Sequence, residues 1–124
     1  MATPRGDLVL RLVGRVIADY VKGRDTAARY GGEEFAVLLS GADLRPAAIV
    51  AGQIRTVLDG KRLTVKGMQG DEGRVTISAG VAQLRAGDSA ASLIERADAA
   101  LYEAKRLGRN RVCIENLAPD DTWR

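Results

Sequence analysis

The chain has 124 residues, 46% hydrophobic and 28% charged, which is enough for one domain with a real core and too few for two. Nineteen basic against sixteen acidic residues leave a net charge of +3, too small an excess to single out nucleic acid as a partner. Histidine is absent and Cys113 is the lone cysteine, which excludes imidazole metal ligands, Ser-His and Cys-His catalysis and an intrachain disulfide, and leaves any metal to oxygen donors and hence to hard cations such as Mg²⁺.

Apolar residues Val9, Leu12, Val13, Val16, Ile17 and Tyr20 recur at helical spacing, with Arg11, Arg15 and Asp19 off that stripe, so the spacing predicts a helix with Asp7 as its N-cap. Next, "TAARYG" reads as a strand, Gly31-Gly32 as a two-residue turn using positive φ angles, and "EFAVLL" as a second strand, together a β-hairpin. Pro46 lies just inside a second helix whose stripe is Ala47, Val50, Ile54, Val57 and Leu58, ending at Gly60. "RLTVKGM" and "RVTISAGVAQL" read as strands parted by the turn-rich "QGDEG". The last helix, "SLIERADAALYEAKRLG", is predicted to open on a Ser92–Glu95 capping box, to bury Leu93, Ala97 and Leu101, and to stop with Gly108 at C′. "RVCIE" makes a final strand, and the domain is expected over residues 1–115 with a polar tail at 116–124. No run reaches the length of a membrane span and no signal peptide is evident, so a cytoplasmic setting is expected.

The order is helix, hairpin, helix, strands, helix, strand: an α+β fold with helices packed on an antiparallel-rich sheet, similar to a ferredoxin-like β-α-β-β-α-β pattern without its first strand.

Two stretches carry candidate chemistry. In "RYGGEEF", Glu33 lies in the hairpin turn and Glu34 starts the next strand. The pair reads either as a solvated hairpin tip or as a Mg²⁺ site whose neighbouring glycines let a phosphate approach the backbone. In "AKRLGRNRV", Lys105 and Arg109 stand one helical turn apart near a helix end. They suit a polyphosphate, with Arg109 as a fork and Lys105 as a point charge, and equally suit the negative end of the helix dipole and its free carbonyls.

With "SAGVA", "RADAALYEAKRLGRNRV" and the upstream "GDLVLRLVGRVI", the hairpin motif closely resembles the GGDEF domain of bacterial diguanylate cyclases, from Asp7 to about Ile114, with the motifs in the family's order and spacing. The resemblance implies condensation of two GTP molecules into cyclic di-GMP with release of pyrophosphate, one GTP on each subunit of a homodimer, in the presence of Mg²⁺ or Mn²⁺. It implies that Gly31 and Gly32 line the triphosphate, that Glu33 and Glu34 bind metal and Glu33 helps activate the hydroxyl, that Lys105 and Arg109 hold the β and γ phosphates, and that Asp7 accepts from the guanine edge.

Departures bound that inference. The family's first strand, with a metal-binding Asp, and the following guanine-binding Asn have no counterpart in residues 1–124, so these residues alone are expected to turn over little GTP and either to rearrange their sheet or to pair its edges with a second copy. At the family's product-binding "RxxD", Asp25 matches while Lys22 replaces the Arg, a degenerate inhibition site without a bidentate fork. The alternative function is a non-catalytic GTP or cyclic di-GMP binding module. An RNA-binding sheet ranks last, because the predicted strands hold no aromatic cluster on which bases could stack, and no nucleic acid is expected as a partner.

Overall fold

The computed structural model describes residues 4–61 and 75–115, in the order α1 (Pro4–Tyr20), β1 (Thr26–Gly31), β2 (Glu34–Leu38), α2 (Leu44–Asp59), β3 (Ala79–Val81), α3 (Ala90–Arg106) and β4 (Val112–Ile114). It is the mixed α+β architecture that the sequence predicts. The predicted strand at 62–68, the turn after it and the 116–124 tail lie outside the described residues. The described strands form two separate pairs, β1–β2 antiparallel and β3–β4 parallel. The chain divides into two compact units, one made of residues up to 40 with 56–76 and the other of 41–55 with 77 onward.

In the first unit α1 buries Val13, Val16 and Ile17, while Arg11, Arg15 and Asp19 are exposed, as the 3.6-residue period requires. The helix begins at Pro4, so Asp7 is its fourth residue and not its N-cap. Proline is preorganised for a first turn and needs no N–H there, which explains the earlier start. The Phe35 ring of β2 lies over α1 at Gly14. Leu58 and Val75 are also buried in this unit.

In the second unit α3 packs across β3 and β4. Its buried residues are Ala100 and Ala104, with the predicted Leu93, Ala97 and Leu101 only half-buried. The reason is closeness: small side chains let the strands approach the helix backbone. Gly80 shows this best. A Cβ there would overlap the Ala97 carbonyl and the Leu101 amide and fall 2.8 Å from Leu101 Cα, so β3 rests directly on the helix backbone. Gly80→Ala is therefore expected to destabilise the chain by about 1–3 kcal/mol or more, because backbone must move to admit one methyl group. A denaturant midpoint unchanged from the parent would contradict this.

Two boundaries differ from the sequence reading for identifiable reasons. β3 covers three residues where a long strand is predicted from 74 to 84, because among the described residues only Ala79–Val81 pairs with a neighbouring strand. β propensity without a neighbour does not make a ladder. The α3 N-cap is Ser89, whose hydroxyl accepts from the Ser92 amide while the Ser92 hydroxyl accepts from the Ser89 amide. The box is thus Ser89–Ser92, three residues ahead of the predicted Ser92–Glu95, and a serine stands in the place usually filled by Glu.

Candidate active site

The hairpin tip is built differently from a simple Gly-Gly turn. β1 and β2 pair Arg29 with Phe35 and then Gly31 with Glu34, so Tyr30 is the extra residue of a β-bulge and the turn itself is Gly32-Glu33. Neither Gly31 nor Gly32 has a positive φ, which corrects the predicted turn geometry; the bulge supplies the twist that a primed turn would otherwise provide. A Cβ on either glycine would meet nothing within 4 Å. Neither backbone conformation nor packing therefore demands glycine here. What the two glycines provide is open space above the chain, next to two carboxylates.

The tip is also held. Arg29 donates from Nε and Nη2 to the Gly32 carbonyl, at 3.2 and 2.7 Å, fixing the turn from one strand side. Glu33 is exposed in the turn and Glu34, the first residue of β2, is half-buried. Among the described residues no group of three or more metal-ligating side chains occurs. Two carboxylates still suit Mg²⁺, which commonly takes one or two from protein and completes its shell with water and phosphate oxygens.

Lys22 and Asp25 lie in the turn from α1 to β1. Asp25 accepts from the Ser40 amide through Oδ1 at 2.9 Å and from the Lys22 amide through Oδ2 at 3.4 Å, so its carboxylate ties this turn to the end of the hairpin.

Lys105 and Arg109 belong to the second unit, at the end of α3. Leu107 is the C-cap and Gly108 (φ 118) takes the C′ place, as predicted. The Gly108 amide donates to the Lys105 carbonyl at 3.3 Å and the Arg109 amide to the Ala104 carbonyl at 2.9 Å, the paired bonds of a Schellman motif. Backbone amides already satisfy these carbonyls, so basic side chains are not needed for that task. Arg106 instead pairs with Glu103 one turn earlier, which raises the arginine and lowers the carboxyl from their ordinary values. Among the described residues, the exposed side chains of Lys105 and Arg109 have no hydrogen-bond or ion-pair partner. Arg109 also has φ 65, a left-handed conformation that costs a non-glycine residue on the order of 1–2 kcal/mol.

Sequence reasoning passed over a charge cluster built around the buried Glu115 in the second unit. Glu115, whose side chain is 2% exposed, accepts from Arg85 Nη2 at 2.6 Å, Arg96 Nε at 2.8 Å and the Gln83 amide at 2.7 Å. Asp88 accepts from both terminal nitrogens of Arg96, at 2.6 and 2.8 Å, and from the Arg85 amide and Ser92 hydroxyl. Hydrogen bonding to Arg96, then to the Arg85 amide and Ser92, holds the Asp88 carboxyl well below the usual range; Asp88 in turn raises Arg96, assisted by Glu115. One signal was available in the sequence: Arg96 falls on the α3 stripe between Leu93 and Ala100, a charge on an otherwise apolar face.

The comparisons with known proteins agree with this architecture. The family described as "Diguanylate cyclase, GGDEF domain" matches residues 3–111. Diguanylate cyclase A of Treponema denticola is 44% identical over 110 residues, covering 88% of this chain and 29% of that protein. The crystal structure of the GGDEF domain of DgcB from Caulobacter crescentus, in complex with c-di-GMP, superposes with a TM-score of 0.81 at 41% identity, covering 87% of this chain and 63% of that one. The active GGEEF domain of a diguanylate cyclase from Vibrio cholerae gives 0.82 at 31% identity, covering 95% and 73%. By fold the chain is thus an α+β domain of the kind those two structures show. It belongs to the diguanylate cyclase GGDEF family. It spans about a third or less of the length of the curated relatives it matches. Among the described residues no helix is long and apolar enough to cross a membrane.

Proposed function

We propose that this chain is the GTP-binding catalytic domain of a diguanylate cyclase, which joins two GTP molecules into cyclic di-GMP within a homodimer. The observation that carries this reading is the hairpin tip: two glycines required by neither conformation nor packing, beside two adjacent carboxylates. In each half-reaction a ribose 3′-oxygen bonds to the α-phosphorus of the other GTP, the bond from that phosphorus to the bridging oxygen of pyrophosphate breaks, and the hydroxyl proton is released. Two pyrophosphates leave for each product.

Glu33 and Glu34 would hold Mg²⁺ or Mn²⁺, which when bound neutralises phosphate oxygens and acidifies the attacking hydroxyl. Gly31 and Gly32 give the triphosphate room against the backbone, and Arg29 keeps that backbone in place. Lys105 and Arg109 receive the β and γ phosphates, so that charge on the departing pyrophosphate meets fixed cations. Asp7, released from the N-cap role by its place inside α1, accepts from the guanine edge. Residues 1–124 expressed alone offer only Glu33 and Glu34 of the family's metal carboxylates, and we assign them little turnover. Feedback by product at Lys22 and Asp25 is not part of this reading, since the Asp25 carboxylate is engaged with two backbone amides.

The phosphate assignment has its own test. Replacing Lys105 or Arg109 with alanine is expected to weaken GTP about tenfold or more and GMP hardly at all, because a lost charge-assisted bond is worth about 1.5–3 kcal/mol and GMP lacks the phosphates concerned. Calorimetric titration with both nucleotides checks this. Equal losses for the two would mean that these residues merely maintain the helix end.

A further inference from the structure

Arg109 sits in an unfavourable backbone conformation, and the structure contains the parts that keep it there. Its own amide is bonded to the Ala104 carbonyl, and its carbonyl accepts from Arg111 Nε at 3.1 Å. The following residue, Asn110, is left-handed as well, with φ 46, and its Oδ1 accepts from Arg55 Nη1 on α2 at 3.1 Å across a separation of 55 residues. Both partners are half-buried, and both belong to the second unit. Two successive non-glycine residues at positive φ after a glycine cap are held only where surrounding contacts over-determine them. Asparagine tolerates that region better than most residues because its short amide bonds locally. Here the amide also has a long-range partner.

We infer that Asn110 and Arg55 are positioning residues for Arg109: the tie between α2 and the Asn110 amide holds the left-handed pair, and so aims the Arg109 guanidinium at the terminal phosphates of the nucleotide. The inference rests on the polyphosphate reading of Arg109. The reading explains why arginine is kept where glycine would fit the backbone with less strain. It also separates two tasks on neighbouring residues, since Arg109 supplies the cation and Asn110 supplies its direction.

The experiment is a double-mutant cycle on the chain with Arg55→Ala, Asn110→Gly and the double variant, each titrated with GTP and with GMP by calorimetry. Asn110→Gly keeps the left-handed region accessible and removes only the amide. Each single variant is expected to weaken GTP about three- to tenfold, as suits one hydrogen bond, and to leave GMP unchanged. The double variant is expected to be no weaker than the worse single, because both remove the same tie. Equal losses for GTP and GMP, additive losses in the double variant, or unchanged GTP affinity would each overturn the positioning role. Arg109→Ala, run alongside, separates this inference from the reading beneath it. If Arg109→Ala weakens GTP selectively and the cycle shows no coupling, positioning alone fails. If Arg109→Ala leaves the preference for GTP over GMP untouched, or the parent chain shows none, both fail.

Discussion

Glu33→Ala in the complete gene product is expected to leave the fold intact and to lower Mg²⁺-dependent formation of cyclic di-GMP by at least about a hundredfold, the scale seen when a group stabilising transition-state charge is removed. The side chain is exposed in a two-residue turn, so its truncation opens no cavity. The turn is fixed from Arg29 to the Gly32 carbonyl, a contact that the substitution leaves in place. Circular dichroism and the thermal midpoint should therefore match the parent while product disappears. A variant with near-parental turnover would remove Glu33 from the metal site. A variant that unfolds would show that the turn has a structural need for the carboxylate that its exposure does not suggest.

A large effect on stability is expected at Glu115. Its carboxylate is almost wholly enclosed and accepts from Arg85, Arg96 and the Gln83 amide, so Glu115→Ala takes one acceptor from the half-buried Arg96 and Gln83 amide and opens a gap where the carboxylate lay. Removing the acceptor of partly exposed donors, one of which keeps Asp88 as a partner, costs about 1–3 kcal/mol, which at this chain length lowers the thermal midpoint by roughly 5–10 °C. Unfolding in denaturant checks the size, and a loss below about 1 kcal/mol would show that water replaces the lost partner.

The same cluster has a pH signature through Asp88. Its carboxyl is depressed in the folded state, chiefly by Arg96, so its contribution is present above the unfolded carboxylate value of about 4 and is lost as pH falls from there through the lower folded value. Arg96 is raised instead, so its contribution is complete below the free arginine range and constant at every ordinary pH. Stability should fall on acidification below about pH 4, and Asp88→Asn should flatten that fall.

The sequence made most of the helices legible, because helix signals are local. The α1 stripe of Val13, Val16 and Ile17 and the Gly108 stop both stand where periodicity and capping place them. Boundaries were less legible wherever two local signals compete. Pro4 outranks Asp7 as the start of α1, and Ser89 outranks Ser92 as the start of α3, since an N-cap is decided by which hydroxyl meets which amide.

Strand extent was least legible, because among the described residues β3 matches the three residues of β4 it pairs with. For the candidate site, residue types and spacing left two readings of Gly31, Gly32, Glu33, Glu34, Lys105 and Arg109 open, and only the resemblance to a family favoured the functional one; they lie on the hairpin tip and at the end of α3. The bonds from Arg29 to the Gly32 carbonyl and from Arg55 to Asn110 were not visible in sequence, since they depend on hairpin register and on a contact spanning 55 positions. Asp25 shows what a motif leaves out: the match points to a ligand, and the two backbone amides its carboxylate accepts from are invisible in the sequence.

The most direct measurement is the product formed when the complete gene product is incubated with GTP and Mg²⁺, separated by chromatography and quantified against released pyrophosphate. Cyclic di-GMP with two pyrophosphates per molecule is the result expected of the hairpin and helix-end residues described above. GTP left intact, or consumed only to GDP and phosphate, would contradict the assignment of this chain as a working cyclase domain.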